Sequence, residues 1–228
     1  MTKAFAHQLK SLKHDLTTDV VFDTSDPGTG KTFVAIKTFE RRRKKKTGCA
    51  LILAPKSLLR STWAADFKKF APALKVVVAT ADVRASTFDQ DADAYVTNTD
   101  AVKWQAKQPK TFFRKFATLI VDESSAYKHG TSQRSKAAAK IASYFKYKRA
   151  MTGTPNGRSI TDVWHQVMLL DGGHRLGRSF FALRDCVCVP TRVGRDDKAV
   201  WWDDKDGGEE AVFGLLSGSF AARAWAVQ

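Results

Sequence analysis

Short apolar runs alternate with helical patterns along most of the chain. The runs are rich in β-branched residues, and Gly, Pro, Asp or Asn stands near their ends, which is typical of buried strands. Strands are predicted at residues 19–23, 50–54, 76–79, 95–98, 119–122 and 149–152. Because strands that alternate with helices form parallel sheets, the pattern predicts an α/β fold with a doubly wound, mostly parallel sheet.

Two of the intervening segments carry apolar residues at helical spacing. One helix is predicted to begin at Pro55 and the other to cover residues 134–147. Right-handed crossovers would place the loops that follow the strands along one edge of the sheet, where ligands collect. The inward-facing positions predicted are Leu58, Leu59, Thr62, Trp63 and Phe67 in the first helix, and Ala138, Ile141, Ala142 and Phe145 in the second.

Residues 25–32 read Ser-Asp-Pro-Gly-Thr-Gly-Lys-Thr and lie between a predicted strand and a helical pattern. The two glycines would let backbone N–H groups turn inward around a polyphosphate, and the lysine would reach its β and γ phosphates. The final threonine hydroxyl could ligate Mg²⁺. The usual pattern begins with glycine, where this chain has the small residue Ser25. The residues predicted to bind nucleoside triphosphate are Pro27, Gly28, Thr29, Gly30, Lys31 and Thr32.

Two adjacent carboxylates, Asp122 and Glu123, end the predicted strand 119–122. Asp122 is predicted to hold Mg²⁺ beside the phosphate loop, and Glu123 to orient and deprotonate an attacking water. An Asp-Glu pair after an apolar strand is a weak signal alone. Together with the phosphate loop upstream, it predicts triphosphate hydrolysis.

A third motif, Thr152-Gly153-Thr154-Pro155, follows the predicted strand 149–152. By itself this segment is only a turn. In a triphosphate-driven motor, such a loop can bond the corner formed by Asp122 and Glu123 on one side and sense a polynucleotide on the other. We therefore predict that Thr152, Gly153 and Thr154 couple triphosphate hydrolysis to polynucleotide binding.

The chain of 228 residues has 38 Lys and Arg against 23 Asp and Glu, a net charge of +15. This excess indicates a polyanionic partner, although a solvated basic surface without a partner remains an alternative. The densest basic run covers residues 41–46. Its position favours the end of a helix, where cations complement the helix dipole, over a localisation signal or a nucleic-acid finger.

No apolar run approaches the ~20 residues that a membrane span needs, and the chain begins without the apolar segment of a secretory signal. A cytoplasmic protein without a membrane partner is expected. Cys186 and Cys188 lack further Cys or His at the spacing of metal ligands, so both are interpreted as strand residues rather than a zinc site.

From about residue 195 the chain becomes rich in charged residues, Gly and Trp, which predicts a linker or hairpin followed by a short helix. Trp201 and Trp202 could stack on nucleic-acid bases. Packing against the domain is favoured for both, because aromatic pairs beside a turn more often pin the segment.

Taken in order, these motifs make residues 5–185 resemble the first RecA-like lobe of superfamily-two helicases. The similarity is nearest to the DEAD/DEAH-like and SWI/SNF-like ATPases found in phage genomes. The resemblance rests on residues 25–32, on the segment Ala54-Pro55-Lys56-Ser57-Leu58-Leu59, on Asp122-Glu123-Ser124-Ser125 and on Thr152-Gly153-Thr154-Pro155. It implies a RecA-like phosphate-loop NTPase fold, with ATP and Mg²⁺ as ligands.

The resemblance also implies roles for residues outside the nucleotide motifs. Gln8 matches the glutamine that reads the adenine edge in such families. Lys56, Ser57 and Arg60 would take nucleic-acid phosphates, and Asn98 would border the nucleic-acid track. Double-stranded DNA is the expected partner, in the host cytoplasm if the gene belongs to a phage.

Motors of this family place ATP between two lobes, and the second lobe supplies an arginine finger. The residues after Cys188 are too few for another such lobe, so domains are predicted at 1–185 and 186–228 with the second lobe absent. The expected function is that of an ATP-binding and ATP-hydrolysing lobe of a DNA helicase or translocase, incomplete as a motor by itself. A second polypeptide supplying the missing lobe, or a truncated reading frame, would account for this.

Two other classes remain open. A different phosphate-loop enzyme, such as a nucleotide kinase or ring ATPase, would share Lys31 and Asp122 but is not expected to carry Thr-Gly-Thr-Pro in this position. A non-enzymatic, nucleotide-gated DNA-binding module or regulator would share every residue named above. Measurement of ATP turnover with and without DNA separates the enzyme from the module.

Overall fold

A computed structural model describes residues 4–44, 48–193 and 199–217 of the chain. Six parallel strands form the central sheet, and two antiparallel strands form a separate hairpin. The strands are β1 Val20–Asp23, β2 Cys49–Ala54, β3 Val76–Ala79, β4 Ala94–Asn98, β5 Phe116–Asp122, β6 Tyr147–Met151, β7 Cys188–Val193 and β8 Ala199–Asp204. The central sheet has the order β1-β6-β5-β2-β4-β3.

Helices cover both faces of the sheet. They are α1 Ala6–Thr17, α2 Lys31–Lys44, α3 Ala65–Phe70, α4 Arg84–Phe88, α5 Val102–Gln105, α6 Gln133–Ala142, α7 Val163–Asp171, α8 Phe180–Val187 and α9 Gly208–Leu216. Short 3₁₀ turns and one π-helical segment, Leu59–Ala64, complete the described part.

The alternation of side chains along β2 shows why the fold has two helical layers. Leu51 and Leu53 are buried in a core shared with α6 and α7, whereas Ala50 and Ile52 are buried in a second core shared with α2 and α3. A strand that is apolar on both faces needs cover on both sides. The predicted doubly wound α/β fold with a parallel sheet is thereby confirmed.

All six predicted sheet strands are present, and their observed ends differ from the predicted ends by at most three residues. The larger corrections concern the helices. The segment after Pro55 begins as a turn, continues as the π-helical Leu59–Ala64 and only then becomes α3. The helix predicted over 134–147 is α6, which ends at Ala142 because the chain must reach β6 at Tyr147.

The basic run lies at the end of α2, as predicted, for residues 41–44, while positions 45 and 46 lie outside the described residues. Arg42 donates hydrogen bonds to the carbonyl oxygens of Asp15 at 2.6 Å and Thr18 at 2.7 Å. Arg43 forms an ion pair with Asp93 at 2.7 Å. These arginines therefore tie α2 to neighbouring elements.

The hairpin and α9 pack on the main domain. Val187, Val212 and Leu216 are buried in the same core as sheet residues. The Asp204 carboxylate accepts a hydrogen bond from the backbone N–H of Ile160 at 2.9 Å. The predicted boundary at 185–186 falls within α8 and stays a prediction.

The predictions for Cys and Trp in this region are corrected in part. Cys188 begins β7, but Cys186 lies on α8 and is exposed, because the helix continues to Val187. Trp202 packs beneath the Arg184 guanidinium, 3.5 Å from the ring centroid, whereas Trp201 remains 67% exposed. Within the described residues, no helix combines the length and apolar character that crossing a membrane requires.

Candidate nucleotide site

The carboxyl ends of β1, β5 and β6 border a cleft of about 600 Å³. Three motifs that are far apart in the sequence meet there, because the three strands are neighbours in the sheet. Among the predicted nucleotide-binding residues, Thr29 contributes to the loop without lining the cleft. The predicted residues that line it are Gln8, Pro27, Gly28, Gly30, Lys31, Thr32, Asp122, Glu123, Thr152, Gly153 and Thr154.

The phosphate loop requires its glycines for two physical reasons. Gly28 and Gly30 have φ values of +83° and +85°, a region that side chains disfavour. A Cβ atom at position 30 would also lie 2.3 Å from Nε2 of Gln8, closer than such contacts allow. The loop therefore packs tightly under α1 and leads directly into the amino end of α2, which favours anion binding.

The Lys31 ammonium lies within its own loop. Nζ donates to the carbonyl oxygens of Ser25 at 2.5 Å and Asp26 at 3.0 Å. Phosphate oxygens are stronger partners for an ammonium than neutral carbonyls. The side chain is thus placed where an anion could take over part of its bonding.

Ser25, at the position where the usual pattern has glycine, contributes its own hydrogen bonds. Its Oγ donates to Oδ1 of Asp23 at 2.6 Å and lies 3.1 Å from Oγ1 of Thr29. Its backbone N–H donates to the same Asp23 oxygen at 3.1 Å. The serine therefore ties the first turn of the loop to the end of β1.

Asp122 is held in one orientation by two donors. Trp63 Nε1 donates to Oδ2 at 2.8 Å, and the backbone N–H of Glu123 donates to Oδ1 at 3.1 Å. Burial raises the pKa of Asp122, and the Trp63 hydrogen bond opposes this rise. The wide π-helical turn Leu59–Ala64 carries Trp63 into this position.

Glu123 has φ of +53°, and it is the non-glycine residue with a left-handed conformation in the described part of the chain. Such a conformation costs on the order of 1–3 kcal/mol and clusters at functional sites. Its Oε1 accepts hydrogen bonds from Ser125 Oγ at 2.6 Å and from Thr152 Oγ1 at 3.0 Å. The carboxylate is therefore held by both the second and the third motif.

Ser124 connects the same corner to α7. Its buried Oγ donates to Oε1 of Gln166 at 2.7 Å, and Nε2 of Gln166 donates to the carbonyl oxygen of Pro155 at 2.8 Å. Ser124 and Ser125, which follow the two carboxylates in the second motif, thus have different partners. Ser125 bonds Glu123 directly, and Ser124 reaches the third motif through Gln166.

Gln8 is buried beside the phosphate loop. Its Oε1 accepts from the backbone N–H of Phe5 at 3.0 Å, and its Nε2 donates to the carbonyl oxygen of Thr29 at 3.2 Å. A primary amide has a second N–H and a second lone pair, so hydrogen-bonding capacity toward a base remains. Its predicted adenine contact stays a prediction.

The predicted nucleic-acid residues lie outside the cleft, at neighbouring strand ends. Lys56, Ser57 and Arg60 follow β2 and are exposed. Asn98 ends β4, and its Oδ1 accepts a hydrogen bond from Arg84 Nη2 at 3.0 Å. Because β2 pairs with β4, these residues share one edge of the sheet.

Six further residues line the cleft that the motif analysis did not assign to it. The helical spacing of apolar residues predicted that two of these residues, Leu58 and Thr62, face the core. Nothing in the sequence indicated that any of the six borders the cleft. They are Phe5, Phe33, Leu58, Thr62, Asp66 and Phe70.

A buried ion triad beneath the phosphate loop was also missed. Arg149 of β6 forms ion pairs with Asp15 of α1 and with Asp23 of β1, and all three side chains are largely buried. Burial lowers the pKa of Arg149 to about 9, so the guanidinium still carries its charge at neutral pH. An arginine within a predicted strand of the central sheet was the available signal, because a buried charge requires partners.

The cleft fits Mg²⁺ and a nucleoside triphosphate by its donor set. Thr32 and Asp122 offer one hydroxyl and one carboxylate, and Mg²⁺ is commonly held by one or two carboxylates plus phosphates and waters. The described residues contain no cluster of three or more His, Cys, Asp or Glu that could hold a metal by themselves.

Comparison with known proteins identifies the family. The profile of the SNF2-related domain matches residues 21–181, which include the three motifs of the cleft. The chain belongs to the SNF2-related domain family. The domain is therefore of the helicase and ATPase type, as the resemblance in its motifs implied.

Relatives of this SNF2-related domain are longer proteins. "Putative protein p41" of Acyrthosiphon pisum secondary endosymbiont phage 1 is 29% identical over 68% of this chain, which corresponds to 36% of that protein. An ATP-dependent helicase of Mycoplasma genitalium is 32% identical over 50% of this chain and 11% of its own length. The chain thus spans about a third or less of these relatives.

The fold matches that of a solved SWI2/SNF2 ATPase core. The Sulfolobus solfataricus core in complex with dsDNA superimposes with a TM-score of 0.72 at 22% identity. The match covers 96% of this chain and 44% of that one. At this level of identity the likeness establishes the fold.

Proposed function

We propose that this SNF2-related domain binds and hydrolyses ATP as the nucleotide-binding lobe of a DNA translocase or helicase. The observation that carries the proposal is the meeting of Lys31, Asp122, Glu123 and Thr152 around one cleft. These groups supply a phosphate ligand, a metal ligand, a base and a contact between motifs. They lie at the carboxyl ends of three strands: Lys31 follows β1, Asp122 ends β5 and Glu123 follows it, and Thr152 follows β6.

The proposed roles follow from the contacts. The backbone of residues 27–30 and Lys31 bind the phosphates, while Gln8 reads the adenine edge. Thr32 and Asp122 hold Mg²⁺, which supplies positive charge to the phosphoryl oxygens. Glu123 orients water and accepts its proton, and Thr152 holds the Glu123 carboxylate in place.

We further propose that double-stranded DNA lies across the edge formed by the ends of β2 and β4. Lys56, Ser57 and Arg60 are exposed there and suit phosphate contacts, and the net charge of +15 favours a polyanion. The solved Sulfolobus core was in complex with dsDNA, which supports the choice of duplex. We place the protein with its DNA in the cytoplasm, within a host cell if a phage encodes it.

A second lobe is proposed to complete the cleft. Among the residues that the structure describes, no arginine lines the cleft, and none of the residues after 154 does so. Phosphoryl transfer in related enzymes uses an arginine finger worth about 10³–10⁵ in rate. We therefore expect slow hydrolysis by this chain alone, and acceleration when another lobe or polypeptide supplies the arginine.

The lack of an arginine among the described cleft residues also favours one alternative function. Without an arginine in the described cleft, the domain could act as a nucleotide-gated DNA-binding module that binds ATP without turning it over. Steady-state release of phosphate, measured with and without duplex DNA, separates the two. Turnover that depends on Mg²⁺ supports the enzyme, and DNA binding that changes with ATP but without turnover supports the module.

Replacement of Lys31 by Ala tests the nucleotide site. The change removes charged hydrogen bonds to phosphate, each worth about 1.5–3 kcal/mol, so ATP affinity is expected to fall more than tenfold. Titration with a fluorescent ATP analogue measures the loss. Lys10→Ala, an exposed lysine on α1, serves as the control and should leave affinity within about twofold. Equal affinity in the wild type and Lys31→Ala would remove the proposed site.

Charge reversal tests the proposed DNA edge. Lys56→Glu/Arg60→Glu is expected to weaken duplex binding by roughly tenfold or more and to lower the salt dependence of binding by about two ion equivalents. The matched control is Lys10→Glu/Lys13→Glu, which makes the same change of net charge on α1. Fluorescence anisotropy across a salt series measures both quantities. The same loss in both double variants would mean that only the total charge matters.

A further inference from the structure

A second concavity of about 820 Å³ lies between α6, α7 and α8, and it shares no lining residue with the nucleotide cleft. We name it the helix-face pocket. Its floor is largely apolar and aromatic, with Trp164, Met168 and Phe180 as its main side chains. The rings of Trp164 and Phe180 meet edge to face with centroids 5.7 Å apart.

A hydrogen bond holds the main ring of this aromatic floor in one orientation. Trp164 Nε1 donates to the carbonyl oxygen of Gly177 at 3.0 Å, which sets the plane of the indole. Phe181, also on the lining, is 64% exposed. A large aromatic side chain that stays in water beside an open apolar floor is typical of a binding surface.

Cations surround this floor. Lys128 is neutralised by Asp162, with Nζ and Oδ2 2.8 Å apart. Lys136 and Arg178 line the pocket, are exposed and form no ion pair within the described residues. The helix-face pocket therefore combines an apolar floor with two unneutralised positive charges.

We infer that the helix-face pocket docks an acidic peptide segment of another protein, with an aromatic side chain of that segment on the floor. Carboxylates beside the aromatic residue would pair with Lys136 and Arg178. Arginine and aromatic residues dominate the binding energy of protein interfaces, and charge complementarity selects the partner. Duplex DNA suits the pocket poorly, because its outward-facing phosphates would leave the apolar floor unfilled.

This inference does not depend on ATP hydrolysis, so a failure of the proposed function leaves it standing. The probe is a random peptide library displayed on phage, selected on the purified chain. The expected product is a set of peptides in which Asp or Glu flanks Trp, Phe or Tyr.

The selected peptide is then labelled with fluorescein and titrated by anisotropy. Lys136→Glu/Arg178→Glu and, separately, Phe181→Ser are each expected to weaken binding by roughly tenfold or more, as loss of a main interface contact does. Lys10→Glu/Lys13→Glu, with the same change of net charge, should leave the affinity within about twofold. Unchanged ATP affinity and melting temperature show that the pocket variants remain folded.

Three outcomes would overturn the inference. The selection could yield no enriched peptide or only basic ones. The enriched peptide could bind all variants equally. A labelled single-stranded oligonucleotide could lose affinity in Lys136→Glu/Arg178→Glu while the peptide does not, in which case the pocket takes nucleic-acid bases instead.

Discussion

Glu123→Gln is expected to reduce ATP turnover by about 10²–10⁴-fold, the usual contribution of a general base. The amide keeps an oxygen that can accept from Ser125 and Thr152, so the corner should retain its shape. The side chain loses its negative charge, and with it the ability to take a proton from water. ATP affinity is therefore expected to stay within about twofold, and steady-state phosphate release with duplex DNA measures the change.

A matched control separates the base from a general loss of charge. Glu210→Gln makes the same substitution at an exposed position of α9, outside the cleft, and should leave turnover unchanged. If Glu123→Gln turns over ATP at the wild-type rate, another group accepts the proton and the assignment of Glu123 fails. If both ATP binding and turnover fall, the residue acts in binding rather than in the chemical step.

Arg149→Met is expected to lower the free energy of unfolding by about 3–5 kcal/mol. The substitution leaves Asp15 and Asp23 buried without the cation that neutralises them. Asp23 also accepts both hydrogen bonds from Ser25, so the phosphate loop should loosen as well. Urea denaturation measures the loss as a lower midpoint at constant slope.

Two further variants test whether the loss comes from the unpaired buried charges. Arg43→Met breaks the more exposed pair with Asp93 and should cost less than about 1 kcal/mol, as exposed pairs do. Asp15→Asn/Asp23→Asn/Arg149→Met removes all three charges and should recover part of the stability, since the main penalty is an unpaired buried charge. Equal losses in Arg149→Met and Arg43→Met would mean that burial of the triad is unimportant.

Strand positions were predicted well because a strand buried on both faces shows in the sequence as a short apolar run. β2 is an example, since each of its residues from Ala50 to Ala54 is buried. The helix after Pro55 was predicted less well. The apolar spacing of Leu59, Trp63 and Phe67 fits an α-helix, but the segment widens to a π turn so that Trp63 can reach Asp122. Local periodicity carries no information about that partner.

In the nucleotide site, too, local motifs were predictable and their distant partners were not. The phosphate loop, the pair Asp122 and Glu123, and the Thr152 segment were each visible as motifs, because their chemistry requires those residue types in a short span. Their partners were not visible. In the sequence, Ser25 was visible only as a small residue in the place of glycine, yet in the structure its hydroxyl donates a hydrogen bond to Asp23.

The amino-acid sequence by itself determined the parallel α/β fold and the three loops that carry triphosphate chemistry, because burial patterns and motifs are local properties. The tertiary structure alone decided which groups orient those loops. The Arg149 triad joins three separate elements, and the helix-face pocket gathers residues from three helices and from the segments that precede them. Such contacts depend on how the strands are ordered in the sheet, and residues distant in the chain become neighbours only after that order is set.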